Sequence, residues 1–284
     1  MLKSLINKLR SGYDFPKRIK YRHAKFWNDP NAENIRNTIL HAYSPLHQWT
    51  DCENWQRKLS NKYNAREFAK MHGCKVPNLF WRGRDINKID FDFLPENYVI
   101  RPTIGHSCQS VFLMNKDFNL FDNKIYDQEQ LKMALNDSLS QNERLEYLIE
   151  EFLPNENGEH KILKDYKIFT FNGKIAAILQ INRISPKEGF QSCYTEDWQP
   201  IEPLVSTYPQ GSYEHPPECL SEMIAGAKKL SKTYKTFVRV DFYASMFGAV
   251  FGEFSPTPIL GNGSTRFANK LFISYWDKYC SNLI

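Results

Sequence analysis

The clearest pattern along this chain is alternation. Residues two apart share one face of a strand. In TFVRVDFYASMFGAVFGEFSPTP (236–258), Val238, Val240 and Phe242 therefore point one way and Arg239, Asp241 and Tyr243 the other. Phe251, Glu253 and Ser255 form the matching set on the next segment, and a turn around SMFGA brings Asp241 beside Glu253. DYKIFTFNGKIAAILQINRI (165–184) reads as a second hairpin, turning on Asn172–Gly173. Short strands are expected at 76–83, 98–102, 110–114 and 147–153. Helices are expected over most of 32–72, ending at Gly73, over 127–145 and over 218–234. No repeat is evident. Helices mixed with prominent hairpins predict an α+β fold with antiparallel sheets, not a doubly wound parallel one.

Composition adds bounds. With 284 residues and 42% hydrophobic content, the chain can bury one large core or two to three smaller ones. No apolar run is long enough to span a bilayer, and MLKSLINKLRSGYDF lacks the apolar core of a secretory signal. Six cysteines are scattered without CxxC pairing, which suits reduced thiols and a cytoplasmic setting.

Charge changes the picture at one end only. The net charge is +5, yet residues 1–27 carry Lys3, Lys8, Arg10, Lys17, Arg18, Lys20, Arg22 and Lys25 against Asp14 alone. Leu2, Leu5, Ile6 and Leu9 follow helical spacing, with Lys3, Lys8 and Arg10 off the stripe. Such a leader either docks on its own body or attaches peripherally, through residues 1–25, to an anionic membrane surface such as the cytoplasmic face of an inner membrane. No basic and aromatic groove follows, so a nucleic-acid partner is not expected.

The chemistry lies in the carboxylate pair. Two acids side by side repel and need a compensating charge. Arg239 supplies one; a divalent cation supplies more, and a few hard oxygen ligands suit Mg2+ shared with substrate phosphates. The competing reading is a solvated sheet face with a surface Arg–Asp–Glu cluster.

KLSNKYNAREF (58–68), LPENYVIRPTIGHS (94–107), IEEFL (149–153), DYKIFTFNGK (165–174), FVRVDFY (237–243) and GEFSPTP (252–258) together resemble the ATP-grasp superfamily, and within it the TupA-like group associated with teichuronopeptide and other surface-polymer synthesis. The resemblance covers roughly residues 55 to 265. It implies two antiparallel-sheet lobes that enclose ATP, with a helical N-terminal region. The corresponding division is a leader at 1–30, a helical region at 31–93, an N-lobe at 94–148 and a C-lobe at 149–284. It further implies that Glu150 faces the adenine amino group, that the backbone of Glu151 and Leu153 completes the purine contacts, and that Asp165 lies near the ribose. Asp241 and Glu253 match the metal-binding acids, and Arg239 an arginine that neutralises the transferred phosphoryl group. Gly105, His106 and Ser107 match a loop covering the phosphates, although one Gly in a polar turn is also an ordinary hairpin loop.

Two positions depart from the pattern. Arg101 stands where a lysine usually meets the phosphates, and Arg forks toward phosphate with a different geometry. Ser255 stands where many relatives have Asn, leaving a weaker hydroxyl ligand for Mg2+. Lys167 can contact phosphate or pair with an acid. Arg183 can clamp a substrate carboxylate or be a surface arginine. Trp198 and Tyr194 can stack on a sugar or belong to the core.

The implied activity is an ADP-forming ligase. It joins a carboxylate to an amine through an acyl phosphate, attaching an amino acid or other amine to a uronic acid of a surface glycan. A kinase acting on a sugar or small molecule, and a non-catalytic nucleotide-binding module, are the alternatives.

Overall fold

The structure, a computed structural model, describes residues 14–105, 108–185 and 188–280. The amphipathic stripe at 2–9 lies outside the described residues. Asn172 and Gly173 have φ of 49° and 84°, the left-handed pair required by a tight two-residue hairpin turn. That turn joins β7 (Asp165–Phe171) to β8 (Lys174–Arg183), as the alternation predicts.

Eleven strands are described. β1 (Leu79–Gly83), β2 (Asn97–Pro102), β3 (Phe112–Asn115), β4 (Phe118–Asn119), β5 (Lys124–Ile125) and β6 (Tyr147–Glu151) form one sheet, in the order β1-β6-β2-β3-β4-β5. β7, β8, β9 (Gly189–Tyr194), β10 (Phe237–Ser245) and β11 (Gly248–Ser255) form the other, in the order β11-β10-β7-β8-β9. Within both sheets the strand pairs are antiparallel. β1 and β6 both pair within the first sheet, so that sheet begins before residue 94 and the chain leaves it after Glu151.

Among the described residues, seven α-helices accompany the sheets: α1 (Phe15–Asn28), α2 (Ala32–Asn37), α3 (Leu46–Trp49), α4 (Lys62–Met71), α5 (Gln128–Ser140), α6 (Leu220–Tyr234) and α7 (Arg266–Tyr279). Residues 32–72 are less continuously helical than expected, being broken between α2, α3, a 3-10 turn at Trp55–Ser60 and α4. Asn61 explains the last start: its side chain accepts the N–H groups of Tyr63 and Asn64 and caps α4.

Three apolar clusters hold the layers. α5 covers the first sheet through Leu131, Leu135 and Leu139. One face of the second sheet (Ile168, Ile178, Val238, Val240, Phe242) packs on α4 and α6. At one end of its other face, Phe169, Phe171 and Phe237 meet α7 and α1 through Phe272, Trp276, Phe15 and Ile19. Tyr194 and Trp198 belong to the first of these second-sheet layers. Their rings stack at 4.0 Å and both are buried, so they are core side chains and not a sugar platform.

α1 is tied down by its own basic residues. Arg22 is fully buried and stacks over Trp276, 4.7 Å from the ring centre. It donates to the carbonyl of Phe237 at 2.5 Å, Thr236 Oγ1 at 2.7 Å and the carbonyl of Pro256 at 3.4 Å. Arg18 pairs with Asp277 of α7. The second half of the leader thus docks on the body. Nearby, Gly261 has φ of 76°, and a Cβ there would lie 2.5 Å from Cα of Pro16. Arg22→Met strands buried carbonyls and is expected to cost about 1–3 kcal/mol per orphaned group, read as a lower urea midpoint.

Candidate functional site

Asp241 and Glu253 are direct cross-strand partners on β10 and β11, and Arg239 lies opposite Ser255. The alternation failed at one point. Phe251 faces the apolar layer with Phe242, not the carboxylates, because a bulge intervenes. Gly252 is the extra residue, and the reason is space: a Cβ there would lie 3.0 Å from the Tyr243 ring and 3.2 Å from the carbonyl of Asp241.

The acids are compensated by cations. Arg239 Nε donates to Asp241 Oδ1 and Nη2 to Oδ2, both at 2.6 Å. Lys167, paired with Asp241 across β7 and β10, donates to Oδ2 at 2.8 Å. Asp241 is 3% exposed. Burial alone would raise its carboxyl pKa, but the charges and hydrogen bonds of Arg239 and Lys167 outweigh that and hold it below the usual carboxylate range. Conversely, burial works against the Lys167 and Arg239 charges, and the surrounding carboxylates raise both above their ordinary values. The Glu253 side chain is 37% exposed, and its Oε1 accepts from Arg239 Nη2 and Ser255 Oγ, each at 3.3 Å.

Along β7, Asp165 shares this face. Its Oδ2 lies 2.5 Å from Arg183 Nε on β8 and 3.5 Å from Lys167 Nζ. Arg183 is therefore engaged by an acid of its own sheet, with Tyr208 OH at 3.4 Å from its Nη1.

The first sheet supplies the opposing wall. Arg101 on β2 donates from Nη1 to the carbonyl of Gly252 at 3.3 Å, joining the two sheets beside the carboxylates. Glu150 on β6 is 2% exposed, with Oε2 2.5 Å from Arg101 Nε and Oε1 3.1 Å from Arg66 Nε of α4. Its carboxylate is thus committed to two arginines. The N–H of Glu151 is given to the carbonyl of Asn78 at 2.8 Å, and Leu153 is buried. Gly105 follows β2, and its φ of 143° lies in a region that L side chains rarely adopt. His106 and Ser107 lie outside the described residues. Cys108, farther along, is exposed.

Lys62 was missed by the sequence reading. It opens α4, its N–H donates to the carbonyl of Thr103, and its Nζ lies 3.2 Å from the carbonyl of Gly105. Desolvation lowers its pKa, with Glu253 opposing and Arg101 acting in the same sense. The available signal was Asn61: a helix cap fixes the first-turn residue, here a lysine, toward whatever the helix start faces.

The donors present are hard oxygens: Asp241, Glu253 and Ser255 on adjacent strands. Among the described residues no group of three or more His, Cys, Asp or Glu is placed to hold a metal unaided. This set fits Mg2+ that takes its remaining ligands from phosphate and water, and not a protein-only cage.

No curated protein matches the chain by sequence. Among solved structures, D-alanine–D-alanine ligase from Bacillus anthracis complexed with ATP superposes with a TM-score of 0.50 and 14% identity, over 78% of this chain and 65% of that one. L-amino acid ligase from Bacillus licheniformis gives 0.51 and 11%, over 81% and 53%. D-cycloserine synthetase DcsG gives 0.50 and 13%, over 79% and 71%. This chain spans less than two thirds of the first two, and such identities show the shared fold alone. A family model described as TupA-like ATPgrasp matches residues 45–275, so a set of antiparallel sheets facing each other across paired acids has its family: the chain belongs to the TupA-like ATP-grasp proteins.

Proposed function

We propose that this chain is an ATP- and Mg2+-dependent carboxylate–amine ligase that attaches an amino acid or other small amine to a uronate carboxylate of a surface glycan. The observation that carries the reading is the cross-strand pair Asp241–Glu253, charge-compensated by Arg239 and Lys167 and faced by Arg101 across the two sheets. In this reading Mg2+, held by Asp241, Glu253 and Ser255, neutralises charge on the phosphate tail. Arg239, Lys167 and Arg101 bind and orient the transferred phosphoryl group, which asks for positioning and electrostatics more than covalent chemistry. Asp165 holds Arg183 at the strand end, where its guanidinium can receive the substrate carboxylate. The loop at 103–110 excludes water from the acyl phosphate. Glu150 contributes by fixing Arg101, and the backbone of Glu151 and Leu153 lines the purine end.

The glycan substrate follows from the TupA-like membership and not from a contact within the site. Peripheral membrane attachment draws support from α1, whose inward face is docked while Lys17, Lys20 and Tyr21 remain exposed. No helix among the described residues is long and apolar enough to cross a membrane. Deleting residues 1–12 is expected to lower recovery in the membrane fraction while sparing nucleotide binding. Unchanged fractionation removes the membrane role.

The activity itself is tested by screening ADP release with uronic acid glycans against amino acids and amino alcohols. A ligase releases inorganic phosphate in step with amide; phosphate retained in the product identifies a kinase instead. ATP with Mg2+ is expected to raise the melting temperature, by about 2.7 kcal/mol of stabilisation at a hundredfold excess over Kd. No shift would leave no nucleotide site at all.

A further inference from the structure

We propose that a cavity on the far face of β8 and β9, away from the carboxylate pair, binds one neutral pyranose unit of a glycan. The cavity measures about 270 Å3 and is lined by Gln180, Asn182, Phe190, Ser192, Ser212 and Glu214, among others. At ~30 Å3 per water this is room for roughly nine waters, the scale of one sugar ring and not of an extended oligosaccharide.

The lining has the chemistry of hydroxyl recognition. Glu214 is held in place: Gln180 Nε2 donates to its Oε2 at 2.9 Å, Asn182 Nδ2 donates to its Oε1 at 3.4 Å, and Lys164 pairs with the same carboxylate. Its backbone is pinned too, the carbonyl accepting Trp198 Nε1 at 2.9 Å and the N–H donating to Tyr194 OH at 2.9 Å. The three side-chain partners fill most of the roughly four acceptor sites of the carboxylate and leave one on Oε1 for a sugar hydroxyl. Gln180 is 1% exposed, and its Oε1 is without a hydrogen-bond partner among the described residues. A buried acceptor left unpaired costs free energy that a donor recovers. Phe190 is 44% exposed and supplies an apolar face against which ring C–H groups can pack.

Charge sorts what enters. Lys164 and Glu214 compensate each other, so the cavity carries no net charge to draw a uronate, whereas Arg183, Lys167 and Arg239 crowd the opposite face. Asn182 and Arg183 are neighbours at the end of β8, so a glycan rounding that end places a neutral unit in the cavity when its uronate meets Arg183. This placement rests on the ligase reading; the sugar chemistry of the cavity does not.

The test is calorimetric titration of the whole protein with the methyl glycosides of glucose, galactose, mannose and N-acetylglucosamine, with free glucuronate as the anionic control. At least one neutral glycoside is expected to bind. Phe190→Ala and Glu214→Gln are each expected to weaken it tenfold or more, with the ATP-induced melting shift unchanged. The proposal is overturned if none of the glycosides binds, if glucuronate binds as tightly as the best of them, or if Phe190→Ala binds like wild type. A glycoside that binds while ATP gives no melting shift would remove the ligase reading and leave the cavity assignment standing.

Discussion

Asp241→Asn is expected to lower ATP-dependent ADP release by about a hundred- to a thousandfold, the range found when one preorganised electrostatic group is removed from a transition state. The side chain keeps its shape and loses its charge, while Arg239 and Lys167 stay where they are. Three consequences follow from that single change. The metal loses its less exposed anionic ligand. The two cations lose their common partner, so their geometry loosens. The local charge moves from balanced toward positive, which lets phosphate bind without being correctly oriented. Nucleotide affinity is therefore expected to fall less than turnover, and a variant with turnover within threefold of wild type would end the metal assignment.

The same substitution changes the acid limb of stability. Asp241 is held below the carboxylate range in the folded protein. Its contribution is therefore fully present above the ordinary carboxylate value of about 3.9, and is lost as pH falls through the lower folded value. Asp241→Asn removes that contribution, so its unfolding midpoint should vary less than that of wild type as pH falls through this window. Glu253→Gln, at a more exposed position, is expected to lose activity with a smaller change in stability.

What the sequence revealed is what local rules govern. The β10–β11 and β7–β8 hairpins were legible because alternation and an Asn–Gly turn act over a few residues, and they sufficed to set Asp241 beside Glu253. The bulge at Gly252 was not, because it answers to the Tyr243 ring across the strand pair, so Phe251 was assigned to the wrong face. α7 was missed although Thr265 caps it and Ala268, Phe272 and Trp276 recur at four-residue spacing. The apolar surface that it covers, Phe169, Phe171 and Phe237, is distant in sequence and so gave no local signal. Strand β9 was missed because GFQSCY, mostly small and polar, carries little alternation of its own and owes its form to pairing with β8. The ion pairs were least legible. Arg66, Arg101 and Glu150 lie on three different elements, and nothing in their spacing connects them.

That triad makes the second large effect. Glu150→Ala is expected to destabilise the protein by about 3–5 kcal/mol, since removing one partner of a buried pair strands the other charge. Here the stranded arginine is Arg101 of β2, left with the carbonyl of Gly252, whereas Arg66 of α4 keeps Glu67 and the carbonyl of Pro77. The resemblance to ATP-grasp relatives gives this residue a different task, facing the adenine, and the two roles separate experimentally. An adenine reader that is replaced raises the KM for ATP and leaves the urea midpoint in place. A buried counter-ion that is replaced lowers the midpoint whether or not ATP is present. Glu150→Met is expected to recover part of the loss seen with alanine, because an apolar side chain of similar length fills the space while Arg66 keeps Glu67 and the carbonyl of Pro77. Arg101 would remain, now held only by the carbonyl of Gly252. A Glu150→Met variant that is stable but turns over slowly would therefore show that Glu150 serves the reaction by aiming Arg101 at the phosphate side of the cleft.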